Sequence, residues 1–309
     1  MNIRYDVPFF EMDVEEHDFE NMLYLGGCSW VGGDTDIWGD RNGYSKEDRW
    51  SNHITIPKLK VFNDGFPGRS NPTIYRHALH AMHRGVKNMF IWWSTAERSQ
   101  HYEIKTTKKH TNPHPVLEPT NKAVLEDWFD TTPQCQAEYL GQQTYSTMQY
   151  IYSLQELAKA WNVNLKMAIT QSHEEVMYWD QFLNTGLANK IKHSNIINWP
   201  DKVNFENNNP VWMWWSGMLA VRYGVDRGVL KDDLQHLNKE GHIMFAEDFE
   251  EFWCNNRKIK QLSKEKDIIS WLDKYNSANS KLSNNKDLDR ALRKALNASS
   301  TGLRFVYET

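Results

Sequence analysis

The chain has 309 residues, 40% hydrophobic and 25% charged, with a formal net charge of −4. That length is enough to bury a full core as one large domain or two smaller ones, and the mildly acidic balance argues against a nucleic-acid footprint or a polybasic membrane patch. Three widely spaced cysteines (Cys28, Cys135 and Cys254) contain no CxxC pair, which argues against a disulfide framework or a structural zinc site and fits a reducing compartment.

Residues 1–20 form an acidic N-terminal arm without an apolar h-region, so no secretory signal is expected, and no run is long enough to span a bilayer. The expectation is a soluble, cytoplasmic protein. Met22–Gly26 reads as a short buried strand that runs into the glycine-rich turn LGGCSWVGG (residues 25–33). Residues 33–51, rich in Gly, Asp and Asn, read as a surface loop. Leu59–Phe62 is a second strand, followed by dense turn residues, Asn63-Asp-Gly-Phe-Pro-Gly-Arg-Ser-Asn-Pro72. Asn71 as cap and Pro72 at the first helical position predict a helix over 73–83 that ends at Gly85.

Val86–Trp93 is the third and most apolar strand, and residues 99–132 read as irregular. A helix is expected over 134–161 and a fourth strand over 164–170. The aromatic stretch 171–235, with Val211-Trp-Met-Trp-Trp215, has no clear periodicity. A helix follows over 239–255, capped by Asn238, and the tail beyond 257 reads as one or two surface helices. Strands alternating with helices predict an α/β fold with a mostly parallel sheet covered on both faces. Ligands of such sheets sit at the carboxyl ends of the strands, which would gather the turns 26–33, 63–72 and 93–98.

Two features carry chemistry. A serine on a sharp strand-to-helix turn presents its hydroxyl, and its own N–H can face a developing oxyanion. No Gly-Lys-Ser/Thr follows, so the turn is not a phosphate-binding loop. Far along the chain, Asp233-Leu-Gln-His236 spaces a carboxylate three residues before an imidazole. That spacing lets the carboxylate orient one ring nitrogen while the other points away; Asp232 is the alternative orienter, and spacing favours Asp233.

Together these residues resemble the SGNH (GDSL-type) hydrolases over about residues 20–255. Gly27-Cys-Ser29 is similar to the family's first block, with Gly-Cys-Ser in place of Gly-Asp-Ser. Asn63–Gly68 is similar to the second block, whose glycine, Gly68 by position, gives a backbone N–H to the oxyanion. Asp233–His236 matches the last block. The flavour GCSW…GRSN…DLQHLNKEGH looks most like divergent forms from tailed bacteriophages.

The resemblance implies a three-layer α/β/α sandwich of flavodoxin-like type over 21–256; the residues beyond it read, from their own pattern, as a C-terminal helical extension over 257–309. The resemblance also implies the triad Ser29, His236 and Asp233, an oxyanion hole from the N–H groups of Ser29 and Gly68, and no cofactor or metal. The substrate would be an acyl or acetyl ester of a carbohydrate or lipid, with no nucleic-acid or membrane partner. Cys28 is assigned to packing.

The chain departs from the family at the third block, Gly-x-Asn-Asp, where Trp92-Trp-Ser-Thr-Ala-Glu-Arg98 stands. Ser94, Thr95 or Asn71 is then the candidate replacement donor, and losing one donor typically costs ~10²–10³ in rate. Arg69 and Arg98 flank the expected pocket and are candidates for binding an anionic part of a ligand, against the commoner fate of a structural salt bridge. His77, His80 and His83 recur at a spacing that drifts round a helix, and with no carboxylate in view they read as partly exposed residues rather than metal ligands. His110 and His114 read as loop residues, and His242 as a structural helix residue. The rival reading is a non-catalytic structural or binding protein on the same scaffold, such as a virion component that forms a homo-oligomer or meets a virion partner. The 14 Trp and the absent third-block asparagine motivate it.

Overall fold

The computed structural model describes residues 18–32, 49–66, 69–94, 101–105, 116–120, 133–170, 186–197, 223, 228–229 and 237–257. Its centre is a four-stranded parallel sheet of β1 (Met22–Gly27), β2 (Lys60–Gly65), β3 (Asn88–Trp93) and β6 (Asn164–Ile169), in the order β2-β1-β3-β6. The four strands expected from apolar runs are these four, each within a few residues of its expected bounds. The fold is therefore α/β with a parallel sheet.

The chain winds outward from β1 in two directions. Between β1 and β2 lie the short helix α1 (Ser29–Gly32) and a 3-10 turn at Trp50–Asn52. Helix α2 (Asn71–His83) links β2 to β3, and helix α3 (Pro133–Ala160) precedes β6. Strand periodicity then sorts side chains to two faces. Met22, Tyr24, Met89, Ile91, Trp93, Met167 and Ile169 pack with α2 and α3. Leu23, Leu25, Phe90, Trp92 and Ala168 pack with Val31, Trp50 and helix α4 (Lys239–Asn255).

Helix ends follow local chemistry. Asn238 caps α4, its side chain accepting from Gly241 N at 2.9 Å. Helix α2 ends in a Schellman turn, Gly85 N to Met82 O at 3.0 Å and Val86 N to Ala81 O at 3.2 Å, and Gly85 takes the left-handed φ of 93° that this turn requires. The expected cap of α2 is corrected: Ser70 occupies the N-cap and Asn71 is the first helical residue. Asn71 serves tertiary bonds instead, described below.

Residues 99–132, expected to be irregular, contain an antiparallel pair, β4 (His101–Lys105) with β5 (Val116–Thr120). The alternation in His-Tyr-Glu-Ile-Lys is a strand pattern too short to stand out beside the Lys- and Pro-rich passage that follows it. The segment 33–51, expected at the surface, is described only at its end. There Trp50 is 1% exposed, so the reading is wrong at that point. The aromatic run 211–215, His110, His114 and the extension over 257–309 lie outside the described residues, apart from Arg257. Among the described residues, no helix is long and apolar enough to cross a membrane.

Candidate active site

Because β1 lies between β2 and β3, the connections leave it in opposite directions, and the carboxyl ends of β1 and β3 form the switch point where α/β sheets hold ligands. Ser29 is the first residue of α1, two positions beyond the last residue of β1. The turn is tight: Val31 N and Gly32 N both donate to Cys28 O, at 3.0 and 2.9 Å. Cys28 itself is fully buried, as a packing residue should be. Glycine is obligatory where this turn meets β2, because a Cβ on Gly65 would stand 2.2 Å from Gly32 N.

The end of β2 fastens two loops, one on each face. Asn63 Nδ2 donates to Val31 O and to Ser51 Oγ, both at 2.8 Å, while Asn63 Oδ1 accepts from Gly65 N at 2.8 Å. Phe66 N donates to Gly27 O at 3.1 Å. The Ser29 turn is thus tied to β2 through both backbone and side chain.

The next residue, Asp64, points to the opposite face. Its Oδ2 accepts from Tyr24 OH at 2.5 Å and from Arg69 Nη1 at 2.9 Å, and Arg69 Nη1 also donates to Asp64 O. His77 Nδ1 lies 2.8 Å from the same carboxylate oxygen. An ionised carboxylate only accepts, so the imidazole carries a proton on Nδ1. Burial alone would raise the Asp64 carboxyl, but the hydrogen bond from His77 and the charge of Arg69 outweigh it and hold the carboxyl below its ordinary value. Burial, reinforced by Asp64, pushes the Tyr24 phenol well up, so it stays a donor.

Arg69 is buried, and its described bonds form a structural salt bridge, the commoner of the two fates weighed for it. Asn71 is also accounted for. Its Nδ2 donates to Ser94 O at 2.9 Å and to Thr147 Oγ1 at 3.0 Å, and its Oδ1 accepts from Ser94 N at 2.8 Å. Both amide hydrogens are spent on pinning α2 to the end of β3 and to α3. The expectation for Asn71 was a candidate oxyanion donor; the bonds its side chain makes here are to Ser94 and Thr147.

Gly68, Thr95, Arg98, Asp232, Asp233 and His236 lie outside the described residues. Only the end of their neighbourhood is seen: Leu237 is buried and Asn238 N donates to Val229 O at 2.8 Å just ahead of α4. His242 is buried in α4 and its Nδ1 accepts from Trp50 N at 3.2 Å, a structural role as expected.

Sequence reasoning missed the Asp64 cluster, and His77 with it. Asn-Asp-Gly reads as turn chemistry, yet Asp64 stands two residues beyond Phe62 and shares its face. His77 falls at helical spacing from Thr73, Ile74 and Ala81, all buried. Among the described residues, no group of three or more His, Cys, Asp or Glu is placed to hold a metal ion. No protein-family model and no curated protein matches the chain.

Proposed function

We propose that the chain is a serine ester hydrolase of SGNH type, built as a three-layer sandwich of flavodoxin-like order. One observation carries the reading: Ser29 opens the helix directly after β1, at the switch point, in a turn locked against the end of β2. In the proposed reaction, Ser29 Oγ attacks the ester carbonyl while His236 takes its proton, and Asp233 fixes the imidazole's tautomer. The N–H groups of Ser29 and Gly68 hold the oxyanion. His236 then returns the proton to the departing alcohol, and water, activated by the same imidazole, releases the acid from the acyl-serine. The substrate class is an acyl or acetyl ester of a carbohydrate or lipid.

The bonds of Asn71 favour a second reading, a non-catalytic scaffold such as a virion component. That amide is engaged by Ser94 O and Thr147 Oγ1, which weighs against Asn71 as a replacement for the absent third-block asparagine. A fluorophosphonate probe together with p-nitrophenyl acetate turnover separates the two. The hydrolase labels at Ser29; Ser29→Ala abolishes labelling, His236→Ala lowers turnover about 10³-fold or more, and Cys28→Ala retains both. A folded wild type that is neither labelled nor active favours the scaffold.

A further inference from the structure

Among the described residues, three large apolar side chains are exposed: Phe66, Tyr145 and Ile243. Tyr145 and Ile243 stand on helices α3 and α4. Phe66 stands where β2 ends, at the carboxyl edge of the sheet, and is 40% exposed. A lone exposed phenylalanine calls for no explanation. This one is set apart by how firmly it is fixed and by what it adjoins.

The backbone of Phe66 is held on both sides. Its N–H donates to Gly27 O at 3.1 Å, and its carbonyl accepts from Arg69 N at 3.2 Å. A Cβ on Gly32 would stand 3.1 Å from Phe66 N. Residue 66 therefore adjoins the Ser29 turn both before and after the serine. Gly27 is two residues from Ser29, at most about 7 Å of chain. The ring is also backed: the Arg69 guanidinium lies 5.9 Å from its centroid, within cation–π distance. That guanidinium is buried and donates to the backbone oxygen and the carboxylate of Asp64, which Tyr24 and His77 hold in turn. Bonds reaching from β1 and α2 thus prop an exposed hydrocarbon ring beside the turn.

The same bonds narrow what the ring can recognise. A phenyl group carries no donor or acceptor, so it selects by apolar contact. A sugar laid on it would call for hydrogen-bonding groups close by, but Asp64, Arg69 and Tyr24 are bonded to one another. A hydrocarbon chain calls for none. A ring fixed before the ligand arrives also loses little freedom on binding.

We infer that Phe66 is a specificity-determining residue that packs against the acyl chain of the ester, so that chains longer than acetyl are preferred. This inference rests on the reading of Ser29 as the nucleophile, and it narrows the substrates to lipid-like acyl esters.

The test compares kcat/KM of the full chain on p-nitrophenyl acetate, p-nitrophenyl hexanoate and an acetylated sugar, xylose tetraacetate. Wild type should favour the hexanoate. A methylene taken fully out of water is worth about fourfold, so several lying on one side of a ring should give about tenfold in all. Phe66→Ala should therefore lower kcat/KM about tenfold on the hexanoate and no more than about twofold on the acetate. If Phe66→Ala does not fold, Phe66→Gln, which removes the ring but keeps the length, decides by the same ratio. A wild type that does not favour the hexanoate, or a variant that loses nothing or loses equally on both p-nitrophenyl esters, overturns the inference and leaves the hydrolase intact. A loss confined to xylose tetraacetate overturns it too, assigning the ring to a sugar. A wild type without Ser29-dependent turnover on any of the three overturns the hydrolase reading and this inference together.

Discussion

The two faces of the sheet are held in different ways. The face under α2 and α3 is filled mainly by Met, Ile, Leu and Ala, with Tyr24 and Trp93 among them, and it is covered by the helices next to its strands in sequence. The face under α4 is a cluster of rings. Trp50 meets Phe245 at 5.2 Å and Phe249 at 4.9 Å, Phe90 meets Phe249 at 4.9 Å, and Trp92 meets Phe245 at 5.4 Å. Helix α4 comes from the far end of the described chain, so local connection does little to hold it there. Rings supply that hold, each burying a large apolar area and adding edge-to-face attraction.

The buried charges differ in the same sense. Asp64, on the first face, is an anion met by a guanidinium, an imidazole and a phenol. Lys166, on the second, is a cation met by neutral oxygens: Phe252 O at 2.6 Å, Trp253 O at 2.7 Å and Asn256 Oδ1 at 2.8 Å. It also sits 4.7 Å from the Phe252 ring centroid. An ammonium at those last carbonyls complements the helix dipole, so Lys166 acts as the C-terminal cap of α4. His242 pins the same helix near its start through Trp50 N. The face that is remote in sequence thus carries a polar pin near each end of its covering helix.

If rings carry the second face, the largest loss comes from deleting the one they share. Trp50→Ala should cost ~3–5 kcal/mol, the range for a buried aromatic truncated to alanine. The loss should fall unevenly, with amide protection in 239–255 dropping more than in 71–83. Urea unfolding followed by hydrogen exchange measures both. Equal loss of protection in α2 and α4 would erase the distinction between the faces.

A smaller effect is expected from Lys166→Met, which preserves volume and removes the cap. Two helix carbonyls would lose their donor, for about 1–3 kcal/mol, the usual penalty of leaving buried polar groups unpaired. The loss should be concentrated in the last turn of α4, while the Asp64 cluster keeps its Tyr24 and His77 bonds. A stability equal to wild type would mean that the carbonyls find other partners.

What the sequence discloses follows the same division. The parallel sheet was legible because each strand is an apolar run closed by turn residues, and α4 because Asn238 stands directly before an amphipathic stretch. Ser29 at the start of α1 was legible from the glycine turn. What escaped depends on contacts between distant segments. Asn71 followed by Pro72 has the composition of a cap, but the pull of Ser94 and Thr147 on its amide overrides that local preference. Asp64 looked like a turn residue because its three partners come from residues 24, 69 and 77. Lys166 was an anomaly in plain view, a lysine between Leu165 and Met167, and only the arrival of α4 explains it.

The smallest effect concerns pH, and it separates the two buried charges by sign. Burial pulls the Lys166 ammonium down to about 8 from an ordinary 10.5. Between those values the unfolded chain holds a proton that the folded chain has released, so stability rises with pH across that window, and the full penalty applies below it. Asp64 behaves oppositely at the acid end. Its lowered carboxyl adds stability that is complete above the ordinary carboxylate value of 3.8 and is lost as pH falls through the folded value. From about pH 7 to about pH 10, the urea midpoint of wild type should therefore gain on that of Lys166→Met, whose own alkaline slope reports the remaining groups. Parallel profiles over that range would mean that the three oxygens around Lys166 offset its burial fully, leaving the cap charged and the face without a pH signature of its own.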